Sequence, residues 1–121
     1  MCGVVLVRQV HNKGVEKRLV EDARACQIRA EQGDAFSQYT LALMYHHGKG
    51  VHQDYGEALR WYRKAADQGN VKAQYALGYM NYVGEGLPQN FSDAFTWYHK
   101  AADQGDAKAQ YSLGLSYYEG R

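Results

Sequence analysis

The sequence predicts an all-α fold in which antiparallel helix pairs stack into an α-solenoid. Residues 35–70 and 71–106 align without gaps at an offset of 36 residues, and sixteen of the 36 positions are identical. Residues 107–121 begin a third copy and stop at its first loop. Self-similarity at a period of roughly 20–50 residues is typical of stacked repeats. The 13 glycines and single proline among 121 residues fit short helices that end at glycine.

The first helix of each repeat, called helix A, is expected to begin near Phe36, Lys72 or Lys108. It should end at a glycine, which supplies the positive φ that a helix end favours. These glycines are Gly48, Gly84 and Gly120. One apolar stripe of helix A should face the second helix of the repeat. This stripe contains Leu41, Ala42 and Tyr45 in the first copy and Leu77 and Gly78 in the second.

Helix A also carries a second apolar stripe. It contains Phe36, Tyr39, Leu43 and His46 in the first copy, Tyr75, Tyr79 and Tyr82 in the second, and Tyr111, Leu115 and Tyr118 in the third. A helix that is apolar on two sides must bury both sides or expose one for a purpose. The second stripe therefore packs on a neighbouring repeat or lines the inner wall of the array.

The second helix of each repeat, called helix B, is expected to begin after Asp54 or Asn90, because both residue types are good N-caps. Glu57 follows Asp54 at the spacing of a capping box. Helix B should end in the sequence AADQG, whose glycine lies just past the helix. Trp61 and Trp97 recur at one position of helix B, so we expect them to pack between repeats.

The region before the first full repeat divides into two predicted parts. Residues 14–34 resemble a degenerate helix B, since Ala30, Gln32 and Gly33 match later repeats at the same offset of 36. Residues 1–13 match no part of the repeat and are expected to form an N-terminal extension or cap. The apolar run within them is too short for the core of a signal peptide, so the default expectation is a cytoplasmic protein.

The repeat pattern is similar to that of Sel1-like repeats, a branch of the tetratricopeptide-like (TPR-like) α-solenoids. In the first copy it is carried by Leu41, Tyr45, Gly48, Gly50, Val51, Asp54, Ala58, Trp61, Tyr62, Lys64, Ala65, Ala66 and Gly69. In the second copy it is carried by Leu77, Gly78, Gly84, Gly86, Ala94, Trp97, Tyr98, Lys100, Ala101, Ala102 and Gly105. Ala42, Asn81 and Asn90 replace the family's usual glycine, tyrosine and aspartate, and we expect each change to be tolerated.

The resemblance implies a right-handed superhelix with helix A on its concave side, and a role as an adaptor in multiprotein assemblies. The predicted function is thus a protein–protein interaction scaffold that binds a partner protein or peptide on the concave helix-A face. Tyrosine is a favoured hot-spot residue at such interfaces. The predicted site residues are Phe36, Tyr39, Leu43, His46, Lys72, Tyr75, Tyr79, Tyr82, Tyr111 and Tyr118.

Some of these residues have a second interpretation. Tyr39, Tyr75 and Tyr111 recur at one repeat position, so they could instead be buried between neighbouring repeats. Tyr79 and His46 are less repeat-like and are the more specific candidates.

Two other functions remain open from the sequence. The helix that begins at Lys108 lacks the helix B that would bury Leu113, Gly114 and Tyr117, and solenoid ends need polar caps. This favours a self-assembling structural module that associates through the uncapped C-terminal helix. The resemblance also raises a small-ligand binder or a β-lactamase-like hydrolase, as described for cysteine-rich relatives. This chain has only Cys2 and Cys26, so it cannot staple each repeat with a disulfide.

Composition and motifs argue against most other classes. The 14 Lys and Arg nearly balance the 13 Asp and Glu, with no basic stripe for nucleic acid. No apolar run approaches the ~20 residues of a membrane span, and no nucleophile elbow, phosphate loop or HExxH motif is present. His46, His47 and His52 lie near one loop, but the adjacent pair should point in different directions. We therefore expect no catalytic residue, metal or cofactor, and another protein or peptide as the partner.

Overall fold

The structure, a computed structural model, describes the backbone of residues 2–118 and the side chains of residues 17–115 and Tyr118. This part of the chain forms six α-helices and no strand. They are α1 (Cys2–Glu31), α2 (Ala35–His47), α3 (Tyr55–Asp67), α4 (Val71–Val83), α5 (Phe91–Asp103) and α6 (Ala107–Tyr118). Each helix packs against its neighbours in the chain, so α2 with α3 and α4 with α5 form the two complete A–B pairs. The predicted α-solenoid is confirmed.

The helix starts follow from aspartate or asparagine caps. The side chains of Asp34, Asp54, Asn70, Asn90 and Asp106 each accept a hydrogen bond from the backbone N–H three residues later. The A helices begin at Ala35, Val71 and Ala107, one residue before the predicted starts. Among the helices described, none is long and apolar enough to cross a membrane.

The capping box expected at Asp54 is only half formed. The Glu57 N–H donates to Asp54 Oδ1 at 3.1 Å, as predicted. The Asp54 N–H, however, donates to the Tyr45 carbonyl oxygen across the loop at 2.9 Å. Because that donor is already used, the Glu57 carboxylate accepts from Arg60 instead, at 3.0 Å.

Glycines close the A helices and let the following loops approach the preceding helix B. Gly48 and Gly84 end α2 and α4 with φ angles of 70° and 81°. Gly50 has no room for a side chain, because a Cβ there would collide with the Leu19 carbonyl of α1. The third predicted terminal glycine, Gly120, lies outside the described residues.

The core lies between the A and B helices of each pair. Leu41, Ala42 and Leu77 of the first stripe are fully buried, and Gly78 faces the ring of Tyr98. Trp61 is buried in the core cluster, and Trp97 packs against its edge. The first stripe of helix A therefore faces helix B, as expected.

A glutamine ladder links successive repeats. Gln38 Nε2 donates to the Ala30 carbonyl at 3.0 Å, and Gln68 Nε2 donates to Gln38 Oε1 at 2.9 Å. The second copy repeats this with Gln74, which donates to the Ala66 carbonyl at 3.2 Å and accepts from Gln104 Nε2 at 2.9 Å. These hydrogen bonds were not predicted from the sequence.

The N-terminal helix is longer than the repeat pattern predicts. α1 runs without a break from Cys2 to Glu31, so no helix end marks the boundary expected at residue 14. Ala23 and Ala30 are buried, and Gly33 has a φ of 97°. Gly69, at the equivalent place after α3, has a φ of 94°. The division into an extension and a degenerate helix B stays a prediction.

Asn81, which stands where the family usually has tyrosine, is buried with only part of its amide group hydrogen-bonded. Its side chain is 2% exposed, and its Nδ2 donates to the Leu77 carbonyl at 2.9 Å. Its Oδ1 has no hydrogen-bond partner within the described part of the chain. A buried acceptor left unpaired costs about 1–3 kcal/mol. Ala42 and Asn90, by contrast, fit their sites, one fully buried and the other capping α5.

Candidate functional site

An open groove of about 430 Å³ lies on the face built by α2, α4 and α6, the three A helices. We call it the helix-A groove. It is lined by Tyr39, Leu43, His46, His47, Tyr62, Lys72, Tyr75, Ala76, Tyr79, Asp106 and Lys108. Six of the ten predicted site residues are among these. They are Tyr39, Leu43, His46, Lys72, Tyr75 and Tyr79.

The other four predicted site residues lie elsewhere. Tyr82 lines an adjacent pocket of about 190 Å³, whose wall it shares with Tyr75 and Tyr79. Phe36, Tyr111 and Tyr118 line neither space and are 71%, 69% and 91% exposed. Phe36 lies in the first turn of α2, and the two tyrosines lie on α6.

The tyrosines of the groove take part in packing as well as lining it. The ring of Tyr39 lies 6.0 Å from that of Tyr62, and the ring of Tyr75 lies 5.5 Å from that of Tyr98. Tyr39 and Tyr75 are half-buried, whereas Tyr79 is 43% exposed. Tyr39 and Tyr75 thus pack on the helix B of their own repeat while lining the groove, and their role in binding stays a prediction. Within the described part of the chain, Tyr111 is not buried between neighbouring repeats, since it is 69% exposed.

Burial also sets the protonation of these rings. Removal from water raises the pKa of Tyr39, Tyr62 and Tyr98 above the usual tyrosine value. Their hydroxyls therefore stay protonated at neutral pH and keep a donor as well as an acceptor.

His46 joins three elements at the groove. Its Nδ1 lies 3.0 Å from the Tyr62 hydroxyl of α3, and its Nε2 lies 3.2 Å from Glu85 Oε1 in the loop after α4. The ring also meets Tyr55 edge-on, with centroids 5.5 Å apart. His46 is therefore held in place by its own repeat and by the next one.

The expectation that His46 and His47 point in different directions is wrong. Their rings stack at an interplanar angle of 3° with centroids 4.8 Å apart. Both line the groove at the last turn of α2, so both side chains turn to the same side. His52 lies by a separate pocket next to α1. In the part of the chain that the structure describes, no group of three or more His, Cys, Asp or Glu could hold a metal ion.

Two lysines give the groove its charge. Lys72 of α4 and Lys108 of α6 occupy the same repeat position, 36 residues apart, and both are exposed. Asp106 is the carboxylate that lines the groove, and its Oδ2 accepts from the Ala109 N–H of α6 at 2.8 Å. Lys72 was predicted to be a site residue, whereas Lys108 was named only as the start of a helix A. Applying the 36-residue offset to Lys72 would have found it.

The family model of the Sel1 repeat matches residues 35–70, 71–106 and 107–121. The chain belongs to the Sel1-repeat family. Proteins of this family are generally protein-interaction scaffolds. No curated protein sequence matches this Sel1-repeat chain significantly.

Solved structures support the same assignment. The chain is similar to c5321, a protective antigen of uropathogenic Escherichia coli with an SLR fold, at a TM-score of 0.82 and 34% identity over 84% of this chain and 22% of that one. It is similar to a Sel1 repeat protein from Oxalobacter formigenes at a TM-score of 0.80 and 35% identity, over 84% and 42% of the two chains.

A cysteine-rich relative is more distant. Helicobacter pylori cysteine rich protein B matches at a TM-score of 0.68 and 26% identity, over 72% of this chain and 65% of that one. This Sel1-repeat chain spans less than two-thirds of each of the three neighbours. Its Cys26 is a free thiol, so the likeness to the cysteine-rich protein lies in the helical fold.

Proposed function

We propose that this chain is a scaffold that holds a segment of a partner protein or peptide in the helix-A groove, on the concave face that the family resemblance implies. The observation that carries the proposal is the convergence of six predicted residues from α2 and α4 on one open groove. Stacked repeats create extended binding surfaces of this kind from side chains at equivalent positions.

The construction of the groove suits a peptide. Tyr39 and Tyr75 are propped from behind by Tyr62 and Tyr98, so their rings are already positioned before a partner arrives. A rigid aromatic surface loses little conformational entropy on binding, which raises affinity. Tyr79 stands beside them with much of its ring in solvent, ready to be covered.

The test is an affinity pull-down with mass spectrometry from cells that produce the protein, comparing wild type with Tyr79→Ala. Tyr79 is chosen because its exposure allows truncation without opening the core. Ile28→Ala is the matched control, since Ile28 is 58% exposed on α1, away from the groove. Each variant must first show the helical circular-dichroism spectrum of wild type.

We expect a partner that wild type and Ile28→Ala retain and Tyr79→Ala loses. Truncation of a hot-spot tyrosine costs about 2 kcal/mol or more of binding free energy. If Tyr79→Ala recovers the same partners as wild type, the groove is not the binding surface and the proposal fails.

Self-association through α6 is the second candidate function. Tyr111, Leu115 and Tyr118 are large, exposed apolar side chains on this helix. Apart from the backbone of α6, no atom of the described residues lies within 4 Å of the place where a Cβ of Gly114 would stand. Of the residues expected to lack a covering helix B, Leu113 is in fact buried in a cluster with Ala94 and Tyr98, and the side chain of Tyr117 lies outside the described residues. Light scattering on the eluting peak should show a dimer or larger species that Leu115→Lys disperses. A wild-type monomer at high concentration would contradict self-association.

A further inference from the structure

The helix-A groove carries positive charge that the described part of the chain does not neutralise. Lys72 and Lys108 both line it, and neither has an ion-pair partner among the described residues. Arg60 of α3, by contrast, has an ion-pair partner, since its guanidinium lies 3.0 Å from the Glu57 carboxylate. The ammonium groups of the groove are therefore free to meet a charge from outside.

The carboxylates near the groove are already engaged. Asp106 Oδ2 accepts the capping hydrogen bond of α6, and Glu85 Oε1 lies 3.2 Å from His46 Nε2. Neither carboxylate lies within ion-pair distance of Lys72 or Lys108. An incoming acidic group thus meets two cations that lack an ion-pair partner among the described residues, against the single carboxylate of Asp106 in the lining.

The remaining lining limits the class of the occupant. Tyr39, Tyr75 and Tyr79 offer ring faces and hydroxyls that favour apolar or aromatic side chains carried on a polar backbone. A nucleic acid would also use aromatic rings and cations, but its affinity depends on neutralising many phosphates along a basic path. Two lysines beside a carboxylate, in a chain with a net charge of +1, match a few carboxylates better than a polyanion.

We infer, resting on the proposed function, that the helix-A groove selects an acidic peptide segment. Its carboxylates pair with Lys72 and Lys108, and an apolar or aromatic residue beside them lies on Tyr39, Tyr75 and Tyr79. Charge complementarity then sets the preference among peptides, while the tyrosines supply the apolar contact.

The experiment is selection of a random heptapeptide display library on wild type, on Lys72→Gln/Lys108→Gln, and on Tyr79→Ala. The control variant Lys49→Gln/Arg63→Gln removes the same charge from two exposed residues outside the groove. The tightest selected peptide is then synthesised with a fluorescein label, together with a counterpart in which Asn and Gln replace Asp and Glu. Fluorescence anisotropy gives the affinity of both peptides and of single-stranded oligo-dT.

We expect Asp and Glu to be enriched among peptides selected on wild type and on the control variant, and not on Lys72→Gln/Lys108→Gln. Because two partly exposed ion pairs are lost, the acidic peptide should bind roughly three- to thirtyfold more tightly than its amide counterpart. That difference should shrink as salt is raised, because exposed ion pairs are screened.

The opposite results separate the two proposals. Neutral or basic peptides whose binding depends on Tyr79 would overturn the acidic preference and leave the proposed function standing. Failure to select any peptide that requires Tyr79 would overturn both. Tighter binding of oligo-dT than of the acidic peptide, lost in Lys72→Gln/Lys108→Gln, would assign the groove to nucleic acid instead.

Discussion

Gly78 and Gly114 are equivalent residues, 36 positions apart in the repeat, but their surroundings differ. A Cβ on Gly78 would lie 2.5 Å from Cδ1 and Cε1 of Tyr98, whose ring is almost fully buried. Gly78→Ala should therefore destabilise the protein by about 1–2 kcal/mol, because the packed ring must move. Urea unfolding followed by circular dichroism measures the change.

Gly114→Ala is the control inside the same chain. Among the described residues, nothing outside the backbone of α6 lies within 4 Å of the Cβ that it would add, so the gain in helix propensity should stabilise α6 by about 0.5–1 kcal/mol. The first repeat already has Ala42 at this position. Equal effects of the two substitutions would mean that the Tyr98 ring shifts freely, contrary to our expectation.

Asp34 gives α2 an acid-sensitive cap. Hydrogen bonds from the Ser37 hydroxyl and backbone N–H hold the pKa of Asp34 below its usual value. A lowered folded-state pKa contributes stability above the unfolded value of about 3.9, and that stability is lost as the pH falls through the folded pKa. Asp34→Asn should flatten the fall in free energy of unfolding below about pH 4. The reciprocal change Asn70→Asp, at the cap of α4, should steepen it.

The glutamine ladder is the main polar link at the scale of the helices. Gln74 is buried, and it joins the end of α3 through the Ala66 carbonyl to the end of α5 through Gln104. Gln74→Leu keeps the approximate size but removes both hydrogen bonds, so we expect a loss of about 1–3 kcal/mol in the free energy of unfolding.

The matched control is Gln110→Leu, at the equivalent position of α6. Gln110 is exposed and donates to the Ala102 carbonyl at 3.2 Å. Its replacement should cost less than about 1 kcal/mol. If Gln74→Leu lowers the free energy of unfolding no more than Gln110→Leu does, the ladder is a result of repeat stacking and does not stabilise the stacked repeats.

The helices could be predicted from the sequence because each boundary has a local chemical signal. Asp54 and Asn90 cap the B helices as expected, and Gly48 and Gly84 end the A helices where positive φ is needed. The length of α1 could not be predicted, since its first half matches no repeat. Periodicity defines an element only where a second copy exists for comparison.

The sequence predicted which face of helix A carries the candidate site, but it did not predict all the residues that line the groove or the contacts between repeats. The helical register places Tyr39, Tyr75 and Tyr79 on one side, and all three line the groove. Tyr62 was missed because the register assigns it to the core, where it is indeed buried, although it also lines the groove. The link between His46 and Glu85 depends on how one repeat stacks on the next, which no pattern within a repeat reveals.

Across the whole array, α4 and α6 differ in the contacts that their equivalent residues make within the described part of the chain. Gly78 receives the ring of Tyr98, and Gln74 receives a hydrogen bond from Gln104, both from α5. The equivalent Gly114 faces open space, and Gln110 is exposed. The face of α6 around Gly114 is therefore equivalent to the face of α4 that packs against its helix B, α5.

Appending the sequence of residues 86–106 directly after Arg121 should fill this surface. The added tyrosine equivalent to Tyr98 would pack on Gly114, and the added glutamine equivalent to Gln104 would donate to Gln110. Nearest-neighbour interfaces carry much of the stability of repeat arrays, so we expect a gain of about 2 kcal/mol or more in the free energy of unfolding.

The control is the same extension with alanine at the position equivalent to Tyr98. This variant can still form the added helix, but it leaves Gly114 uncovered. It should recover only part of the gain in thermal and urea unfolding. The extended chain should also lose any self-association seen by light scattering, because the face that would mediate it is now covered. If the extension stabilises the protein and self-association persists, copies meet through another surface. If it adds no stability, the open face of α6 is not the seat of a helix B.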